Sequence, residues 1–114
     1  MHELSRCKSL IEQIQNSISE YAEYKIKTIT VLVGELSQID LDEFVELFPL
    51  AAKGTFVEKA ELIVKKDPAK YSCANCSQLC TPKGSDLYCT FCQSSQLTLI
   101  SGTEFMLDSI ELTQ

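Results

Sequence analysis

The stretch "CANCSQLCTPKGSDLYCTFC" (Cys73–Cys92) contains two pairs of cysteines, each with two residues between its members. The first pair is Cys73 and Cys76, the second pair is Cys89 and Cys92, and twelve residues lie between the two pairs. Each short gap allows a tight turn, here called a knuckle, to direct two thiolates towards one point. Four thiolates satisfy the tetrahedral preference of Zn²⁺, so the spacing predicts a structural zinc site that replaces a hydrophobic core.

Two other uses of these cysteines are a thioredoxin-like redox pair and two disulfides. A redox motif requires only one such pair, whereas this segment contains two. Cys80 is a fifth thiol of the segment, able to replace a knuckle ligand, although we expect a spare, buried thiol. The bridge between the knuckles has one lysine and no arginine, which does not indicate a nucleic-acid ribbon.

Regular patterns precede the cysteine segment. From Glu3 to Tyr24, apolar residues recur at three- and four-residue steps and predict an amphipathic helix. The next stretch, "IKTITVLVGEL" (Ile26–Leu36), is rich in β-branched residues and predicts a strand that ends at Gly34. The residues on one face of this strand are Ile29, Val31 and Val33.

A second helix is predicted to begin after Asp40. Asp40 is a suitable N-cap, and Glu43, three residues later, completes the pattern of a reciprocal capping box. We expect the helix to end by Gly54, and to be kinked or cut short at Pro49, because proline removes a helical donor.

Two further strands flank the cysteine segment, at Ala60–Lys66 and Thr103–Leu112. We expect these two strands to pair beneath the insert, which requires its ends to be close together. The prediction is an α+β fold with a three-stranded sheet, two helices and an inserted zinc ribbon. Its domains are residues 1–67 with 103–114, and residues 68–102.

Composition excludes several classes of function. The chain has 114 residues and a net charge of −6, which disfavours binding to nucleic-acid phosphates. No apolar run is long enough for a membrane span or a signal peptide, so we expect a cytoplasmic protein with no membrane partner. Catalysis is also disfavoured, because four cysteines close the zinc site and a single histidine leaves no second base.

His2 is the one histidine of the sequence. The terminal amine and the His2 backbone nitrogen close a five-membered chelate ring on a metal, and the imidazole closes a six-membered one. Such nitrogen donors suit Ni(II) or Cu(II). The alternative is an inert terminus, since chain ends are commonly unconstrained.

The chain resembles the HypA/HybF family of hydrogenase-maturation nickel metallochaperones over nearly its whole length. The resemblance rests on the opening "MHELS", the two knuckles and four other stretches, which are "VLVGELSQID" (Val31–Asp40), "GTFVEKAELIV" (Gly54–Val64), "DPAKYSC" (Asp67–Cys73) and "SGTEFMLDSIEL" (Ser101–Leu112). The second knuckle, "CTFCQSS", departs from the family by lacking the proline and glycine often found there.

The resemblance implies a nickel-binding domain with an inserted zinc domain. It implies nickel ligation by Met1, His2 and Glu3 through the amine, backbone nitrogens and the imidazole. Asp40 is an additional candidate for this site, and its alternative role is the helix cap. Glu3 has an alternative role too, because an acidic residue in a first helical turn complements the helix dipole.

The resemblance also implies the partners of the protein. Family members deliver nickel to the precursor of the nickel-iron hydrogenase large subunit together with a maturation GTPase, and some relatives also serve urease maturation. The alternative function is a zinc-ribbon interaction adaptor that does not bind nickel.

Overall fold

The computed structural model describes residues 3–21, 23–82 and 87–114. It has an α+β fold, as predicted. The helices and strands are α1 (Glu3–Ser17), β1 (Lys25–Gly34), α2 (Leu41–Ala52), β2 (Glu61–Asp67), β3 (Lys70–Cys73), β4 (Leu79–Cys80), β5 (Leu97–Ser101) and β6 (Phe105–Thr113). A short 3-10 helix, Ser19–Tyr21, follows α1. The strands form two three-stranded sheets, with the orders β2-β1-β6 and β4-β3-β5.

Helix α1 is shorter than its apolar pattern predicts. It ends at Ser17 rather than at Tyr24, and the Ser17 hydroxyl donates to the Gln13 carbonyl at 2.9 Å. A serine that bonds to the preceding turn competes with helix continuation. The inner face of α1 packs against α2, and burial raises the pKa of the Cys7 thiol on that face to about 11, so this thiol remains protonated.

Strand β1 lies at the centre of the first sheet, between β2 and β6. Its inward side chains are buried as predicted, with Ile29 and Val31 completely inaccessible and Val33 nearly so. The expectation that the strands near residues 60–66 and 103–112 pair with each other is wrong, because each is adjacent to β1 instead. The physical reason is burial: β1 alternates between buried and accessible residues, whereas β2 and β6 have only half-buried inner faces.

Helix α2 continues through Pro49 to Ala52, so of the two expected effects of the proline, a kink or an early end, the early end is wrong. The proline removes one backbone donor but leaves its own carbonyl as an acceptor. The Lys53 N–H donates to the Pro49 carbonyl at 3.1 Å and closes the last turn. Phe44 and Phe48, on the buried face of α2, are in tilted ring contact at 6.0 Å between centroids.

The chain forms two compact units. The first contains the described residues up to 32 together with 38–65 and 106–114, and the second contains 33–37 and 66–105. In the second unit, β3 pairs antiparallel with both β4 and β5. The buried core of this unit consists of Ala69, Tyr71, Cys73, Cys80 and Cys89.

Backbone segments close the base of the second unit. The Glu35 N–H donates to the Asp67 carbonyl at 2.9 Å, and the Leu36 N–H donates to the Gly102 carbonyl at 2.7 Å. The Glu35 carboxylate in turn accepts from the Ala69 N–H at 2.9 Å. Residues 35 and 36 therefore hold both ends of the segment that carries the knuckles.

Candidate metal centre

The two knuckles share one backbone hydrogen-bond pattern. In the first, the Cys73 N–H donates to the Gln78 carbonyl at 3.0 Å and the Ser77 N–H donates to the Cys73 carbonyl at 2.9 Å. In the second, which lies sixteen residues later, both corresponding hydrogen bonds measure 2.8 Å. Each turn thereby points the sulfurs of its two cysteines to the same side, so the two knuckles form two halves of one site.

The four knuckle sulfurs lie within 4.8 Å of one another. The distances between Cys73 Sγ and Cys92 Sγ and between Cys76 Sγ and Cys89 Sγ are both 3.6 Å. A tetrahedral zinc site with bonds of about 2.3 Å has sulfur–sulfur edges of about 3.8 Å. A disulfide requires about 2.05 Å, and all four cysteines are free. The arrangement is compatible with zinc and not with the disulfide alternative.

Hydrogen bonds to sulfur favour thiolates at the second knuckle. The Cys92 N–H and then the Phe91 N–H lower the pKa of Cys89 to about 6, and the Asn75 side chain is the main cause of a lowered pKa at Cys92. At Cys76 the Gln78 N–H acts in the same direction, but burial and the neighbouring sulfurs raise the pKa of this thiol to about 12. A metal-free cluster therefore holds negative charge that a divalent cation would neutralise.

Two residues that sequence reasoning did not assign to the site supply donors to the sulfurs. The Asn75 side-chain nitrogen lies 3.4 Å from Cys92 Sγ, and the Phe91 backbone nitrogen lies 3.4 Å from Cys89 Sγ. Both occupy the third position of a Cys-x-x-Cys turn. For Phe91 that position was an available signal, because the turn directs its backbone N–H towards the preceding cysteine. Asn75 offered no such signal, since its side chain donates to a sulfur of the other knuckle.

Cys80 lies outside the four-sulfur cluster, in strand β4 opposite Tyr71. It is only 4% exposed and belongs to the core of the second unit. Burial raises the pKa of its thiol. A protonated, buried thiol has the character of a small apolar side chain, in agreement with the expected spare thiol.

Of the residues predicted to hold nickel, Met1 and His2 lie outside the described residues. Glu3 begins α1 and is only 1% exposed. Its carboxylate Oε2 accepts from the Asp40 N–H at 3.3 Å. The Asp40 carboxylate accepts from the Glu43 N–H at 3.1 Å, which confirms Asp40 as the N-cap of α2. The reciprocal half of the predicted capping box is absent among these residues, because the Asp40 N–H bonds to Glu3 instead of Glu43.

Comparison with known proteins gives consistent matches along the chain. Residues 1–112 match the family model described as "Hydrogenase/urease nickel incorporation, metallochaperone, hypA". The hydrogenase maturation factor HypA of Nitrosospira multiformis is 32% identical over 112 residues, covering 98% of this chain and 97% of the relative. The hydrogenase maturation factor HybF of Salmonella typhimurium is 30% identical, covering 98% and 99%.

A solved structure has the same fold. The solution structure of the Ni metallochaperone HypA from Helicobacter pylori matches with a TM-score of 0.66 and 29% identity, over 98% of this chain and 97% of that one. Within the part of the chain that the structure describes, no helix combines the length and apolar character needed to cross a membrane.

Proposed function

This chain belongs to the HypA family of nickel metallochaperones for hydrogenase maturation, and from that membership we propose that it binds Ni(II) at its amino terminus and delivers it in the cytoplasm. Membership in a family of metal carriers makes it a maturation factor and not an enzyme. The proposed receiver is the precursor of the nickel-iron hydrogenase large subunit. A maturation GTPase is the proposed accessory partner, and urease maturation factors are further candidates.

We assign the four-sulfur cluster to a resident Zn²⁺, held by Cys73, Cys76, Cys89 and Cys92. The support is the 3.6 Å spacing of facing sulfurs and the thiolate-favouring donors around Cys89. Such an ion, with all four positions filled by thiolates, supplies structural cross-linking and no open position for a substrate.

We assign the nickel cargo to Met1, His2 and Glu3. The amine and the His2 backbone nitrogen supply one chelate ring, the imidazole supplies a second, and the Glu3 backbone nitrogen continues the set. Nitrogen donors in this arrangement suit the tetragonal geometry of Ni(II). Asp40 acts in this assignment through the fold, as the cap of α2 that holds Glu3.

The observation that carries this assignment is the burial of Glu3. A glutamate is rarely buried unless its carboxylate is engaged, and here the carboxylate accepts from the Asp40 N–H. The residue that follows His2 is thereby fixed to the N-cap of α2. A chelate whose third residue is fixed loses less conformational freedom on binding than one in an unconstrained tail.

The test compares nickel binding by the native chain, a His2→Ala variant and a chain with two residues added before Met1. Extension converts the amine into an amide, so we expect both changes to weaken nickel binding by about tenfold or more, the range for lost ligand support. The matched control carries the same two residues after Gln114. Calorimetric nickel titration of zinc-loaded proteins gives the affinities.

Zinc stoichiometry, measured on the same samples, should be equal in all four proteins. If the amino-terminal extension leaves nickel affinity unchanged, the amine is not a ligand. If the native chain binds no nickel while it retains zinc, the adaptor function replaces the carrier function.

A further inference from the structure

The first unit contains a groove of about 790 Å³ that neither metal assignment uses. Its walls come from the end of α1, the start of β1, the segment between α2 and β2, and the end of β6. The volume is in the range of about 300–1,000 Å³ found for ligand sites.

Three lysines line this groove. Lys25 and Lys27 lie two residues apart on β1, so they project from the same face of the strand, while Ile26 between them is buried. Lys59 contributes from the segment between α2 and β2. None of the three forms an ion pair with another described residue.

This concentration of positive charge is unusual for the chain. The three lysines are three of ten Lys and Arg residues in a sequence with sixteen Asp and Glu residues. Among the described lining residues, Glu58 supplies a carboxylate. The groove is therefore locally positive in a protein whose net charge is −6.

Apolar side chains lie between the lysines. Phe56 lines the groove and is 43% exposed. Ile18 and Tyr24 also contribute to the lining and are half-buried. Exposed aromatic surface is typical of protein interaction sites rather than of sites for inorganic anions.

We propose that this groove is a docking site for an acidic segment of a partner protein, with an aromatic or aliphatic side chain seated on Phe56 between carboxylates that pair with Lys25, Lys27 and Lys59. A short acidic segment meets only the local positive charge, since screening limits the reach of charges to about 10 Å. A long nucleic acid would extend into the field of an acidic protein and be repelled. The described lining residues also include no arginine, the residue that pairs best with phosphate.

The site adds a docking function to the proposed nickel carrier, and its existence does not depend on nickel binding. The experiment uses the zinc-loaded full chain and a fluorescein-labelled peptide of Asp and Glu with one central Phe. We expect saturable binding that weakens as salt is added, and amide NMR shifts confined to residues 18–27 and 55–59. A peptide in which Asn and Gln replace the acids should bind at least about tenfold more weakly.

Matched variants locate the site. The triple change Lys25→Gln, Lys27→Gln and Lys59→Gln should weaken peptide binding about tenfold, whereas Lys8→Gln, Lys66→Gln and Lys70→Gln, with the same change in charge, should weaken it less than twofold. Phe56→Ala should weaken binding, and Phe91→Ala, at an exposed aromatic of the other unit, should leave it unchanged.

Several results would overturn the proposal. Absence of saturable binding, or equal loss in both triple variants, would show that the groove is not the site. Equal binding of a single-stranded oligonucleotide or of tripolyphosphate would assign it to anions in general. Self-association that only the groove variant abolishes would assign it to a second copy of the chain. Nickel titration of the groove variant should match the native chain, which separates failure here from failure of the nickel assignment.

Discussion

Ser77 and Gln93 follow the last cysteine of their knuckles, and both have left-handed backbone conformations, with φ of 63° and 64°. An L-residue in this conformation costs about 1–2 kcal/mol, and glycine avoids most of that cost. Each knuckle therefore has one strained position directly after its second cysteine.

Replacement of either residue by glycine should stabilise the zinc-loaded chain. We expect Gln93→Gly or Ser77→Gly to raise the free energy of unfolding by about 0.5–1 kcal/mol, since glycine relieves the strain but adds entropy to the unfolded chain. Gln96→Gly is the control, because Gln96 has no positive φ, and it should lower the same free energy by about 0.5–1 kcal/mol. Denaturant unfolding at fixed free zinc measures all three, and a destabilised Gln93→Gly variant would contradict the strain argument.

The start of α2 indicates how far single residues could be predicted. Asp40 was identifiable as a cap because the capping signal is local in sequence. The acceptor of the Asp40 N–H could not be predicted, because the carboxylates of Glu43 and Glu3 are both suitable acceptors. Glu3 lies 37 positions away in the sequence, so no local pattern connects it with Asp40. The clustering of the four knuckle cysteines was predictable for the same reason as the cap, since two-residue gaps define the turn geometry.

Between the elements, backbone segments approach each other closely at the base of the second unit. A Cβ atom on Gly102 would lie 2.6 Å from the Ala69 Cα, and φ of Gly102 is +107°. A Cβ atom on Gly34 would collide with the Gly102 carbonyl. These are contacts with backbone, which cannot rotate away as a side chain can.

Alanine substitutions should separate backbone strain from steric overlap. Gly54 has φ of +79° and open space where a Cβ atom would lie, so Gly54→Ala should cost only the conformational term, about 1–2 kcal/mol. Gly102→Ala adds overlap with Ala69 and should cost about 2–5 kcal/mol. Gly34→Ala adds overlap without positive φ and should cost about 1–3 kcal/mol. Thermal unfolding of zinc-loaded proteins ranks them, and an equal cost for Gly102→Ala and Gly54→Ala would refute the close approach.

The sequence predicted which segments are helices and which are strands, but it did not predict which strands are adjacent in the sheet. The alternation of buried residues identified β1, but sequence alone does not state which strand lies in the middle of a sheet. The end of α1 could not be predicted from the apolar steps, because these steps continue past Ser17, whereas the chain there passes into the short 3-10 helix Ser19–Tyr21. The early end expected at Pro49 does not occur, since one lost donor does not end a helix whose Phe44 and Phe48 side chains are buried.

Over the whole molecule, the two units have cores of different chemistry. The first has an apolar core that includes Ile14, Ile29, Phe44 and Val57, all at least 99% buried. Three of the five core residues of the second unit are cysteines. A core of this composition has little apolar area to stabilise it, so we expect its order to depend on the proposed metal cross-link.

Chelation should therefore affect the units unequally. When zinc is removed, we expect amide protection to be lost across β3 and β5 and to persist in α2. Hydrogen exchange with mass spectrometry of the loaded and stripped chains measures both. A Cys80→Ala variant should retain zinc and protection, whereas Cys73→Ala should lose both. Protection of β3 that survives chelation in the native chain would contradict a metal-dependent core.

The contact between Gly102 and Ala69 also has a consequence for the architecture of the gene product. It brings the two ends of residues 70–101 together, so this segment is an insertion that leaves the rest of the chain and returns to it at nearly the same place. The entropy cost of bringing the ends of an inserted segment together grows only with the logarithm of its length, by about 0.6 kcal/mol for each doubling. We therefore expect this position to be a permissive junction, where one self-contained module can be exchanged for another of different length with little cost in chain entropy.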